Sequence, residues 1–207
     1  QAILGFTEIL IAGVCEQDEP FPPGTPWIAM ELARGSVLDR APTCWAEVRD
    51  VALAVLSGLA VVHAHDVLHR DLTPANVLDT GTVRFPHWRL ADFGLAMLDG
   101  RGLRGGTSGF RAPERGGAEG PWTDLFSVGC LVWWMVHDGR TPEEGAYGPA
   151  MDVPPGLVEW LDVSLAPHTR DRFLHARSAR LALDTLGTPV ARARRHPSHQ
   201  RDTRRTW

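Results

Sequence analysis

The sequence predicts an α+β protein, mostly helical, with a short stretch of β structure ahead of the helices, and three observations carry that expectation. From Thr43 to about His65, and again from Asp124 to Val136, apolar residues recur at three and four over lengths that suit helices. Near the start, Thr7 to Cys15 and Trp27 to Leu32 are short apolar runs rich in isoleucine and valine. Between the two helical patterns lies His69-Arg70-Asp71-Leu72-Thr73-Pro74-Ala75-Asn76-Val77-Leu78, a short polar loop set among apolar residues.

In chain order, the two N-terminal runs read as strands joined by the acidic and proline-rich segment Glu16 to Pro26, and taken alone they are a plain hairpin. The first helix carries Trp45, Val48, Ala52, Val55, Leu59 and Val62 on its buried face, with Thr43 as N-cap after Pro42. It delivers the chain into the His69 loop. Val77-Leu78 and Arg89-Leu90-Ala91 read as short strands flanking a turn at Gly81, which lets Asp71, Asn76 and Asp92 meet at one point. The second helix, with Leu125, Val128, Leu131, Val132, Met135 and Val136, is apolar enough to be almost wholly buried. Asp138 to Pro155 is rich in proline and glycine, Gly156 to Leu165 reads as a helix, and Leu174 to Leu186 as a final one. Beyond Gly187 six arginines stand with a single acid, Asp202. This is a basic, disordered tail whose solvated state is favoured over contact with acidic partners or nucleic acid.

At 207 residues, 43% hydrophobic and 22% charged, the chain fits one well-buried soluble domain or a domain with an appendage. A net charge of -4 gives no general case for nucleic acid or membrane binding. There is no apolar run of spanning length and no basic leader, so a cytoplasmic home is expected. Cys15, Cys44 and Cys130 lie far apart in apolar surroundings and read as buried reduced thiols. The nine histidines lack metal-ligand spacing; His63 and His65, at a helix end, read as solvated. All 21 basic residues are arginines, and the first residue is Gln1, so a fragment or a processed chain is expected.

Three signatures then stand in order: His69-Arg70-Asp71 with Asn76, Asp92-Phe93-Gly94 sixteen residues further on, and Ala112-Pro113-Glu114 twenty beyond Asp92. Each alone is weak, since His69 could be a core histidine and Asp-Phe-Gly an ordinary turn, but together the sequence resembles the protein kinase family, serine/threonine type. The resemblance implies a kinase-like fold with residues 1–36 as a remnant of the small lobe and hinge, 37–187 as the large lobe, and 188–207 as the tail. It implies ATP and magnesium as cofactors and a protein substrate, with no specific nucleic acid and no membrane span. Asp71 is then the base for a substrate hydroxyl, and Asn76 and Asp92 are magnesium ligands. Met30 resembles the gatekeeper, the backbone of Glu31 and Ala33 meets the adenine edge, and Leu78 forms the adenine floor. Thr107 hydrogen-bonds Asp71. His69, Arg70, Phe93 and Gly94 are structural, Asp124 ties down the loop backbone, and Arg172 forms a buried pair with Glu114. The Gly106-Thr107 segment favours serine or threonine substrates over tyrosine.

The sequence also departs from that pattern. Thr73 stands where a lysine ordinarily reaches the transferring phosphoryl group, and no lysine occurs anywhere to grip the other phosphates. From Leu95 to Gly105 there is no serine, threonine or tyrosine to phosphorylate, so Arg70 lacks its usual partner and Asp99 is a weak substitute. Two expectations follow: a serine/threonine kinase impaired in this chain, or a non-catalytic kinase-like binding module.

Overall fold

A computed structural model of the chain describes residues 9–15, 22–82, 84, 87–92, 109–114, 117–145 and 148–187. Its strands are β1 (Ile9–Val14), β2 (Pro26–Met30), β3 (Val77–Asp79) and β4 (Trp88–Leu90). Its helices are α1 (Trp45–His63), α2 (Pro121–Val136), α3 (Leu157–Ser164) and α4 (Ala176–Asp184). The strands form two separate antiparallel ribbons, β1 with β2 and β3 with β4. Among the described residues no helix is long and apolar enough to cross a membrane.

The core is helical. Helix α1 packs against α2, α4 and β4, and its Val48, Val51, Ala52, Val55, Leu56 and Leu59 are essentially inaccessible to solvent. Against them lie Leu125, Val128, Leu131 and Val132 of α2 and Leu183 of α4. Each such aliphatic side chain contributes about 1.5–3 kcal/mol on burial, so these two stripes are what the lobe condenses around.

Several boundaries shift from expectation for local reasons. Helix α1 starts at Trp45 with Cys44 at its N-cap, not at Thr43. Thr43 instead donates through its backbone N–H and its hydroxyl to Glu47 Oε2, at 2.8 and 3.1 Å. Helix α2 begins at Pro121, three residues before Asp124, because proline suits a first turn that needs no donor. There the Thr123 hydroxyl accepts from the Gly120 N–H. Helix α4 is shorter than Leu174 to Leu186, and α3 loses one residue at each end. The cysteines are not uniformly buried: Cys130 is, Cys15 is half-buried and Cys44 exposed, all three as free thiols. Burial pushes the Cys130 thiol up to about 12. The expected basic tail, and Phe93, Gly94, Asp99 and Thr107, lie outside the described residues.

Candidate phosphoryl-transfer site

The loop after α1 reaches its geometry through one buried carboxylate. Asp124, in the first turn of α2 and fully buried, accepts the His69 N–H on Oδ2 at 2.9 Å and the Arg70 N–H on Oδ1 at 2.8 Å. Arg70 has a left-handed backbone, φ 65°, which costs an L-residue about 1–2 kcal/mol. The two charge-assisted bonds to Asp124 offset that strain. They turn the chain so that Asp71 follows, half-buried.

The third partner of Asp124 is a residue that sequence reasoning misplaced. His63 Nε2 lies 2.8 Å from Asp124 Oδ2, and the imidazole is 8% exposed, so His63 is part of this network and not solvated. The signal was available, since His63 stands four residues after Leu59 on the buried stripe of α1. His65, two residues on, is exposed as expected.

His69 joins the loop to the strand that follows. Its Nε2 is 3.0 Å from the Ala91 carbonyl, its Nδ1 accepts the Asp71 N–H at 3.3 Å, and the side chain is wholly buried. Burial pulls its pKa below the usual histidine value, against the raising influence of Asp124 and the Ala91 carbonyl. Asn76 closes the loop: its Nδ2 donates to the Asp71 carbonyl at 2.8 Å, and its own carbonyl accepts the Ala91 N–H at 3.0 Å. Asp71, Asn76 and the residue preceding Asp92 are thus brought together by direct bonds. Asp92 itself is exposed with φ 53°. Thr73 is buried beside the short 3-10 turn Pro74–Asn76.

The segment after β2 runs along β3. Arg34 donates its N–H to Asp79 O, Asp79 to Gly35 O and Val37 to Val77 O. Met30, Glu31 and Ala33 are half-buried at the start of this crossing. Leu78, half-buried, faces away from the core while its neighbours Val77 and Asp79 are buried.

Glu114 and Arg172 form a two-pronged pair, 2.8 Å from Nη1 to Oε1 and 3.0 Å from Nη2 to Oε2, with the arginine side chain at 0% exposure. Arg172 also donates to the Ala166 and Pro167 carbonyls and lies 4.6 Å over the Phe126 ring. Burial pushes the Glu114 carboxyl up, but hydrogen bonds from Arg172 and Thr123 outweigh it and hold the carboxyl below its usual value. Nearby, Gly109 has φ +95° and a Cβ there would lie 2.5 Å from Thr141, so only glycine fits that turn. Arg70, finally, has a partner not foreseen from sequence: its Nε is 2.9 Å from Glu119 Oε2, and that glutamate is only 14% exposed.

The donor set suits a hard cation. Asn76 spends its amide N–H on the Asp71 carbonyl, which leaves its side-chain oxygen as the group to offer, and Asp92 adds an exposed carboxylate. Oxygen ligands of this kind fit magnesium.

Residues 11–147 match the family model described as the protein kinase domain. The chain is 32% identical over 198 residues to the serine/threonine-protein kinase PknL of Mycobacterium tuberculosis, covering 80% of this chain and 48% of that protein. It is 34% identical over 139 residues to the DNA damage-responsive serine/threonine-protein kinase RqkA of Deinococcus radiodurans, covering 59% and 20%. The chain therefore spans about half the length of the mycobacterial relative and less of the other. Among solved structures, the PknI kinase domain of Mycobacterium tuberculosis superposes with a TM-score of 0.62 at 25% identity, covering 87% of this chain and 71% of that one.

Proposed function

Because the chain belongs to the protein kinase family, we propose that the site built around Asp71, Asn76 and Asp92 serves transfer of the ATP γ-phosphoryl group to serine or threonine hydroxyls of a protein, at a rate reduced by Thr73 in the place of a lysine. The carrying observation is the bonded set Asp71, Asn76 and Ala91-Asp92, built on Asp124. Asp71 takes the proton from the acceptor hydroxyl, and the turn at Arg70 aims it. Asn76 Oδ1 and the Asp92 carboxylate hold magnesium, which supplies charge neutralisation on the phosphates when bound. The backbone of Glu31 and Ala33 orients the adenine over Leu78, with Met30 behind it. Thr107 completes the acceptor end. Residues 37–187 act as the large lobe and the preceding residues as hinge and small-lobe remnant.

Thr73 can donate a hydrogen bond through its hydroxyl but carries no charge. Loss of one preorganised contact to a transition state costs about 3 kcal/mol, roughly a hundredfold in rate. That residue favours a second reading in which the lobe binds nucleotide without transferring phosphate. A radiolabelled phosphate-transfer assay on the purified chain, with Asp71→Asn as control, separates the two. Slow transfer that vanishes in the control supports the kinase, and none in either supports the binding module. Transfer unaffected by the control reports a contaminating enzyme.

A further inference from the structure

We propose that Arg89 is a positioning residue of the nucleotide site: its ion pair with Glu31 holds the hinge backbone in register with the strand that leads to Asp92. The inference rests on the nucleotide reading given above.

Strand alternation puts Arg89 where it can do this. In the β3–β4 ribbon, Val77, Asp79, Trp88 and Leu90 are buried toward the core, whereas the cross-strand partners Leu78 and Arg89 emerge together on the opposite face. Arg89 therefore stands beside the residue assigned as the adenine floor. From there its Nη1 reaches Glu31 Oε2 at 3.0 Å, with the arginine side chain 11% exposed and the glutamate 31%. A pair this shielded from water is stronger than an open surface pair.

Glu31 opens the crossing from β2 to the helical lobe. Three residues later Arg34 makes the next tie, through its N–H to Asp79 O and its guanidinium to Asp79 Oδ2 at 3.3 Å. Leu32, between them, is 91% exposed and contributes no packing. The crossing that presents backbone groups to an adenine is thus bracketed by two polar ties, one of them to the strand whose next residues are Leu90, Ala91 and Asp92. A nucleotide bound at the hinge through its base and at Asp92 through its phosphates spans the two ends that Arg89 joins. With the tie in place, the two halves of the ligand bind with their geometry already set.

The test uses the full chain with Arg89→Met, Glu31→Gln and the reversed pair Glu31→Arg with Arg89→Glu. Amide hydrogen exchange at Trp27 to Leu32 is expected to speed up about fivefold in each single variant, the upper range for one ion pair, with α2 unchanged and the reversed pair restoring it. By calorimetry, Arg89→Met weakens magnesium–ATP by about fivefold while adenosine and magnesium–tripolyphosphate each shift by less than about twofold, because only the whole ligand feels the register. Unchanged exchange at the hinge overturns the tie, and so does a loss confined to adenosine. Failure of the unaltered chain to bind magnesium–ATP overturns the nucleotide reading itself, so the two failures are distinguishable.

Discussion

The segment His69–Asn76 and the hairpin of β1 and β2 are both short, yet different forces hold them. The loop is anchored from below by Asp124, from the side by the bond between His69 and Ala91, and across itself by Asn76. Every one of those bonds is to a buried or half-buried group. The hairpin, by contrast, makes its extensive contacts strand to strand and exposes Val14, Trp27 and Ile28. Even its internal fit is local: the Trp27 ring lies so close over Gly13, its cross-strand partner, that a Cβ there would be 2.9 Å away. A two-stranded ribbon with apolar residues in water is marginal by itself. The loop is therefore held through the helical lobe, while the segment after the hairpin depends on a few polar ties.

Breaking the platform should cost most. Arg172→Ala strands the Glu114 carboxylate and is expected to destabilise by about 3 to 5 kcal/mol in chemical denaturation. A change within about 0.5 kcal/mol, the range of exposed sites, contradicts the buried pair. Asp124→Asn keeps one acceptor but turns the other into a donor facing a backbone N–H, so a loss of about 2 to 3 kcal/mol is expected, together with loss of any transfer activity.

The platform should also show a pH signature. The folded-state pKa of His69 lies below its ordinary value of 6.5, so the unfolded chain binds the proton more readily. Stability from this residue is complete above that value and falls as pH drops below it, with a slope of at most about 1.4 kcal/mol per pH unit. Denaturation midpoints measured from pH 7.5 to 5 should decline for the native chain and flatten in His69→Gln; a rise toward low pH contradicts the sign. Smallest is the hairpin: Ile28→Thr at a half-exposed position should shift stability by no more than about 0.5 kcal/mol, and a loss above about 2 kcal/mol would mean that the ribbon is packed.

The same contrast explains what could be read from sequence. The stripes of α1 and α2 were legible because a helix face repeats locally, and the order of the three signatures located the loop. The His63–Asp124 contact spans 61 positions and the Arg172–Glu114 pair 58. The second was visible only through the resemblance, and the first went unread because a histidine at a helix end is ordinarily wet. Glu119 beside Arg70 and Glu31 beside Arg89 carry no local pattern; tertiary folding alone brings them together. The start of α1 differs because Thr43 bonds the Glu47 carboxylate in the first turn of the helix, while Cys44 takes the N-cap.

The central claim is that the loop and the Asp92 strand form a magnesium-dependent nucleotide site. Calorimetric titration of ATP with and without magnesium, on the native chain and on Asp92→Asn, tests it most directly. Asp92 is exposed, so the variant should unfold at an unchanged midpoint. The expected result is ATP binding that magnesium strengthens by about tenfold or more in the native chain and leaves unaffected in the variant, as loss of one charged ligand implies. Binding indifferent to magnesium, or equal magnesium dependence in both proteins, contradicts the account.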